Sequence, residues 1–110
     1  MKIHDSGDIL TVTNIKELAA GNAETFREEV RAALPPDVKA IEIDLSDTEF
    51  VDSCGLGALI SLYKFVNNGN EAVPVRLLNP TPPVQQLFEL TRLHRVFEIV
   101  KTEAHVAAHS

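Results

Sequence analysis

The sequence predicts an α/β domain built on a mixed, mostly parallel central sheet. Two observations lead there. Strand-like and helix-like segments alternate from residue 9 to residue 100, which calls for parallel strands joined by right-handed helical crossovers. The turn-forming Asp5-Ser6-Gly7-Asp8 ahead of the β-branched run Ile9-Leu10-Thr11-Val12-Thr13 adds an antiparallel hairpin at the N-terminus. At 110 residues the chain is expected to be a single domain, 1–110, with its core over about residues 9–100 and a tail over 101–110. Folding at this length buries roughly two-thirds of the surface of the unfolded chain. With 45% hydrophobic residues, five Phe, one Tyr and no Trp, the core is aliphatic.

The first strand is expected around Lys2–His4 and the second over Ile9–Thr13. Ala23, Phe26, Val30 and Leu34 then recur near helical spacing behind Asn22, a candidate N-cap, with Glu24 in the first turn and Pro35-Pro36 as the stop. Ala40-Ile41-Glu42-Ile43-Asp44-Leu45 alternates apolar and acidic residues at period two, the pattern of a strand with one face better buried. Leu56, Leu59, Ile60, Tyr63 and Val66 form the stripe of a second helix, opened by Ser53 and closed by Asn67-Asn68-Gly69-Asn70.

Val73–Leu78 reads as a strand with Pro74 at its start or on an edge. Thr81-Pro82 pairs an N-cap with a proline at the first helical position, and Val84, Leu87 and Phe88 face the core of a helix ending near Thr91. Val96–Val100 is the last expected strand. Thr102-Glu103-Ala104 caps a short final helix, bringing the number of helices to about four.

Ten Lys+Arg against 16 Asp+Glu give a formal charge of −6, with no basic cluster to serve as a footprint for nucleic acid or an anionic membrane. The longest mostly apolar stretch, Gly55–Val66, is shorter than the roughly 20 residues that span a bilayer, so no direct membrane insertion is expected. The N-terminus turns polar before an apolar signal core could form, and the single Cys54 cannot form an internal disulfide. A cytoplasmic setting is expected.

Glycines and small hydroxyls concentrate between the central strand and its helix, over Leu45–Gly57. Ser53 stands at a helix start, where its oxygen can accept an amide hydrogen bond and where the helix dipole favours a negative group. It reads either as an N-cap alone or as an acceptor of phosphate. Asp47, Glu49 and Asp52 raise the cost of such a phosphate unless a partner's cations compensate. Gly55 and Gly57 allow close approach, either of the helix to the sheet or of a partner's backbone. Cys54 reads as a small buried packing residue or, less simply, as a redox-sensitive thiol. Glu28-Glu29 and Asp44/Asp47 read as solvated or turn-capping acids.

Catalytic motifs are incomplete. A nucleophile elbow needs glycine where Val51 stands, two residues before Ser53, although Gly55 fills the position two after. Gly55-Leu56-Gly57-Ala58-Leu59-Ile60 lacks the third glycine of a dinucleotide fingerprint, and no Gly-Lys-Ser/Thr phosphate loop occurs. His105 and His109 lie four apart, yet Val106 replaces the glutamate of a metalloprotease helix. Catalytic residues, cofactor and metal are all expected to be none.

At Asp44-Leu45-Ser46 and again at Phe50-Val51-Asp52-Ser53-Cys54-Gly55-Leu56-Gly57-Ala58-Leu59, the sequence resembles the STAS family and, within it, the bacterial anti-sigma factor antagonists. The likeness extends more loosely over Ile9–Val100. It implies a STAS-like single domain without enzymatic activity, in which Ser53 is phosphorylated by an anti-sigma factor with serine kinase activity. ATP would be bound by that partner, and a serine phosphatase would remove the phosphate. Unphosphorylated, the domain would bind the anti-sigma factor and release a sigma factor, through Asp47, Asp52, Ser53, Cys54, Gly55, Leu56 and Gly57.

This chain departs from the family pattern at Cys54, where relatives carry Ser or Ala, and at Ala19 in Lys16-Glu17-Leu18-Ala19, where many carry Gly-Glu-Leu-Asp with a kinase-contacting acid. The competing reading is a STAS accessory subunit of a membrane transporter complex, whose same loop packs constitutively on its partner. A hydrolase built on Ser53 ranks last, because no histidine is placed by motif.

Overall fold

The computed structural model describes residues 1–69 and 72–102. Along the chain these form β1 (Lys2–Asp5), β2 (Ile9–Thr13), β3 (Glu17–Leu18), α1 (Ala23–Ala33), β4 (Ala40–Asp44), β5 (Phe50–Val51), α2 (Ser53–Val66), β6 (Val75–Leu78), α3 (Pro82–Leu90), a 3-10 turn (Leu93–Arg95) and β7 (Glu98–Val100). The order β1-β2-β4-β6-β7 makes a five-stranded mixed sheet. Only β1 and β2 are antiparallel; β2–β4, β4–β6 and β6–β7 are parallel, as crossovers through α1, α2 and α3 require.

Local chemistry explains the elements. The hairpin turns at Gly7, whose φ of +93° suits a residue without Cβ and whose amide donates to Asp5 Oδ1 at 2.7 Å. Leu10, Val12, Ile41, Ile43 and Leu77, on β2, β4 and β6, are completely buried and form the sheet's part of the core. Helix α1 buries Ala23, Phe26 and Val30 and packs against α2, which buries Gly55, Ala58, Leu59 and Leu62. Phe97 joins the far end, meeting Tyr63 of α2 edge-on at 5.8 Å and Phe88 of α3 at 6.2 Å.

Several expectations need correction. The innermost stripe of α2 runs through Ala58, Leu59 and Leu62; Leu56, Ile60, Tyr63 and Val66 are only partly buried, because α2 is apolar on more than one face. Asn22 and Thr81 occupy N-cap positions without capping. Asn22 bridges the preceding turn, accepting from the Ala19 amide and donating to the Glu17 carbonyl, while the Thr81 hydroxyl donates to the carbonyl of Thr48. The last strand starts at Glu98 rather than Val96, since Arg92 at φ +62° starts a 3-10 turn whose Leu93 carbonyl accepts from the Phe97 amide. Pro74 precedes β6, and its carbonyl accepts from Ile41.

The structure shows three α-helices among the described residues where the sequence suggested about four. The expected final helix, the His105/His109 pair and the Asn70 part of the α2 stop signal fall outside the described residues. The β3–β5 pair was not foreseen at all: two residues per strand carry no readable periodicity.

Candidate functional site

The site lies where β4 hands over to α2. Asp44 Oδ1 accepts from the Ser46 amide at 2.9 Å and starts a turn through Asp47, which is exposed. The chain then dives to Thr48, the buried polar residue among those described. Its hydroxyl donates to the Ile15 carbonyl at 2.6 Å, its amide donates to Leu45 at 3.1 Å, and its carbonyl accepts the Thr81 hydroxyl at 2.8 Å. Thr48 thus ties the loop to the end of β2 and to the start of α3. Residues 49–52 leave this anchor extended and pair in parallel with β3, Glu17 opposite Phe50 and Leu18 opposite Val51.

That pairing delivers Asp52 to the N-cap of α2. Its Oδ1 accepts from the Gly55 amide at 2.9 Å and its Oδ2 from the Ala20 amide at 3.0 Å, so one carboxylate caps the helix and pins the turn after β3. The Gly55 amide is the main reason its pKa falls below the ordinary aspartate value; partial desolvation opposes, and the Ala20, Cys54 and Asp52 amides assist. Gly55 itself is buried, and a Cβ there would sit 1.9 Å from the Leu18 carbonyl oxygen. The absence of a side chain is therefore what lets α2 start against β3.

Ser53 is then the first residue of α2, exposed, its hydroxyl left out of the cap. The expectation of Ser53 as N-cap is thereby corrected: Asp52, one residue earlier, has the extended backbone and the acceptor oxygens that the position needs. Cys54 is exposed, not a buried packing residue, because the inward side of this turn is filled by Gly55 and the Leu18 backbone. Gly57 is exposed, and a Cβ there would meet nothing within 4 Å. Leu56 is half-buried. The seven sequence-nominated residues therefore divide: Asp52 and Gly55 hold the backbone, Leu56 packs partly, and Asp47, Ser53, Cys54 and Gly57 face outward.

Cys54 and Gly57 border a groove of about 400 Å³ shared with Ala20, Ala23 and Arg27 of the neighbouring segment, in which Arg27 pairs with Glu24. Ala19 is buried. Thr48 and the Ala20 amide were missed from sequence; a lone threonine and a backbone group emit no motif. Of the described histidines, His4 belongs to β1 and His94 to the 3-10 turn, so neither lies on β4, β5 or α2. Chemically the arrangement offers an exposed hydroxyl at the positive end of a helix, one residue after the Asp52 carboxylate.

The STAS domain family matches residues 1–108. A Thermotoga maritima protein called a "putative anti-sigma factor antagonist" is 29% identical over 96 residues, covering 86% of this chain and 83% of its own length. The anti-sigma F factor antagonist of Paenibacillus polymyxa is 31% identical over 65 residues, 59% of this chain and 54% of its own. Among solved structures, the anti-sigma factor antagonist SpoIIAA in its unphosphorylated form superposes with a TM-score of 0.76 at 20% identity, over 98% of this chain and 93% of that one. The α/β fold is the same. No helix among the described residues is long and apolar enough to cross a membrane.

Proposed function

The chain belongs to the STAS domain family, and on that premise we propose that it is an anti-sigma factor antagonist, a one-domain binding module switched by phosphorylation of Ser53. Its partner is an anti-sigma factor with serine kinase activity that brings the ATP, and a serine phosphatase resets the switch; the chain itself catalyses nothing and works in the cytoplasm. The relatives named as anti-sigma factor antagonists support the class.

The observation that carries the site is the exposed Ser53 hydroxyl, relieved of capping by Asp52. A structural serine would be consumed by the helix it starts; this one is free to be modified at little structural cost. Phosphate would add about −1.5 to −2 charges beside Asp52, and near Asp47 and Glu49 in sequence. The helix dipole offsets part of that cost within the chain. A partner surface shaped for a neutral hydroxyl and for these carboxylates would reject the modified form. Asp47, Ser53, Cys54 and Gly57 are the direct contacts in this reading, with Asp52, Gly55 and Leu56 fixing their backbone. Ala19 removes an acid from the kinase-facing turn, so the cognate kinase must find its grip elsewhere.

The test is phosphosite mapping by mass spectrometry after incubation with ATP in a lysate of the source cells with phosphatases inhibited. Phosphate on Ser53 is the expected result. An unmodified Ser53 beside a phosphorylated control substrate would sink the switch and favour a constitutive accessory subunit of a membrane transporter complex.

A further inference from the structure

The residues that stop α2 do not all serve the fold. Asn67 is fully engaged: its side chain bonds the carbonyls of Tyr63 and Val73 and the amide of Val73. Asn68 and Gly69 come next, past the end of α2, and both are exposed. Among the described residues the Gly69 amide donates no backbone hydrogen bond. A Cβ on Gly69 would meet nothing within 4 Å, so the peptide bond between the two residues lies in open space.

An asparagine followed by glycine is a reactive pair. Attack of the next residue's nitrogen on the asparagine Cγ closes a five-membered ring, and a side chain on that next residue, a hydrogen bond on either group or helical geometry hinders the approach. Glycine shields its nitrogen least and turns most freely. The chain's other described asparagines each fail a condition. Asn79 precedes Pro80, whose nitrogen carries no proton to lose. Asn14 precedes the β-branched Ile15, which is 3% exposed. The Asn22 side chain is held by Ala19 and Glu17, and the following amide, that of Ala23, donates to the Ala19 carbonyl at 2.8 Å.

We propose that Asn68 is a site of spontaneous deamidation. The Gly69 nitrogen gives up its proton to water or hydroxide and bonds to Asn68 Cγ; the bond from Cγ to the side-chain nitrogen breaks, and ammonia leaves. Water then opens the resulting succinimide at either carbonyl, leaving aspartate or isoaspartate at position 68. No oxidant or reductant enters. The change adds a negative charge to a chain already at −6. It does so at the negative end of the α2 dipole, beside a groove of about 590 Å³ that Gly69 lines with Arg31, Lys39 and Phe65. Isoaspartate also lengthens the backbone by one carbon inside the turn that Asn67 closes onto Val73. The inference is independent of the Ser53 reading, which concerns the other end of the helix.

The test holds the whole folded chain in mildly alkaline buffer, with the same chain unfolded in guanidinium chloride as the clock. Peptides are mapped by mass spectrometry after separation of aspartate from isoaspartate. The expected result is conversion of Asn68 to both products in the folded chain, with Asn14, Asn22, Asn67 and Asn79 intact. Gly69→Ala, whose methyl has room, should lose most of the conversion, its urea midpoint showing that it folds. Asn68→Gln, which would have to close a six-membered ring, should stay unmodified and replaces Gly69→Ala if that variant does not fold. An intact Asn68 in the folded chain after the unfolded chain has converted would overturn the proposal. So would aspartate without isoaspartate, or conversion of either folded variant at the wild-type rate.

Discussion

The two ends of α2 are anchored by different means. At the N-terminal end a charged carboxylate, Asp52, and a missing side chain, Gly55, hold the helix against the β3 segment. At the C-terminal end a neutral amide does the work: Asn67 Nδ2 donates to the carbonyls of Tyr63 and Val73 at 3.0 Å each, and its Oδ1 accepts from the Val73 amide at 2.7 Å. There the polar capacity of the side chain is spent closing the path into β6, and the neighbouring Phe65 ring lies beneath the Arg31 guanidinium at 4.3 Å. At the first end, the anchoring is done by residues on either side of Ser53, and the hydroxyl is left over. The Ser53 hydroxyl stays outside the cap because its neighbours hold the backbone for it.

The largest effect that would test this contrast is Gly55→Ala. The new methyl would collide with the Leu18 carbonyl, a backbone atom that cannot swing away, and overpacking of this kind costs about 3 kcal/mol. Gly57→Ala, two residues on and in open space, should instead gain up to about 1 kcal/mol from helix propensity. Urea denaturation of the two variants reads the difference, and equal behaviour would mean that α2 does not start hard against β3.

A smaller effect separates the two polar anchors by pH. Asn67→Ala should cost about 1–2 kcal/mol through three lost hydrogen bonds, the same at pH 7 and pH 3. Asp52→Asn leaves one of two amides without an acceptor, and its cost should depend on pH. Because the folded-state pKa of Asp52 is depressed, its carboxylate contributes stability that is fully present above about pH 4 and is lost as the pH falls through the lowered value. Urea midpoints of wild type and Asp52→Asn should therefore converge in acid. A gap that persists there would show that the carboxylate's charge is not what holds the turn.

The smallest effect belongs to Ser53→Ala, expected within about 0.5 kcal/mol of wild type, the ordinary range for exposed positions. An N-cap serine would lose about 1 kcal/mol. Such a loss, seen in thermal or urea unfolding, would return Ser53 to a structural role and erase the distinction between the two ends.

Much of this was readable from residue order. The β-branched Ile9–Thr13, the alternating Ala40–Leu45 and the apolar spacing of α1 and α3 are strong periodic signals, and the sheet follows from their alternation. The strand–loop–helix at Asp44–Leu59 also nominated a candidate site around Ser53. What failed was assignment within that segment. Asp52 and Ser53 are both good capping residues one position apart, and nothing local says which one takes the extended backbone. The choice is made by β3, because Asp52 gains the Ala20 amide across 32 residues of chain as well as its own helix amide. Cys54 was misplaced for the same reason: its burial depends on which side of the first turn faces Leu18.

The sequence by itself determined the class of fold, the order of its elements, the acidic surface and the position of the candidate serine, since these depend on periodicity, turn chemistry and charge along a short stretch of chain. Only the tertiary structure decided that Ser53 is left out of the cap, that a Cβ at Gly55 would collide with Leu18 while one at Gly57 would not, and that Phe50 borders a groove with Pro83 and Leu87 of α3. Each of those depends on backbone or side chains brought together from distant parts of the chain, where a contact of a few ångströms settles the role of a residue and leaves no pattern in the letters that precede and follow it.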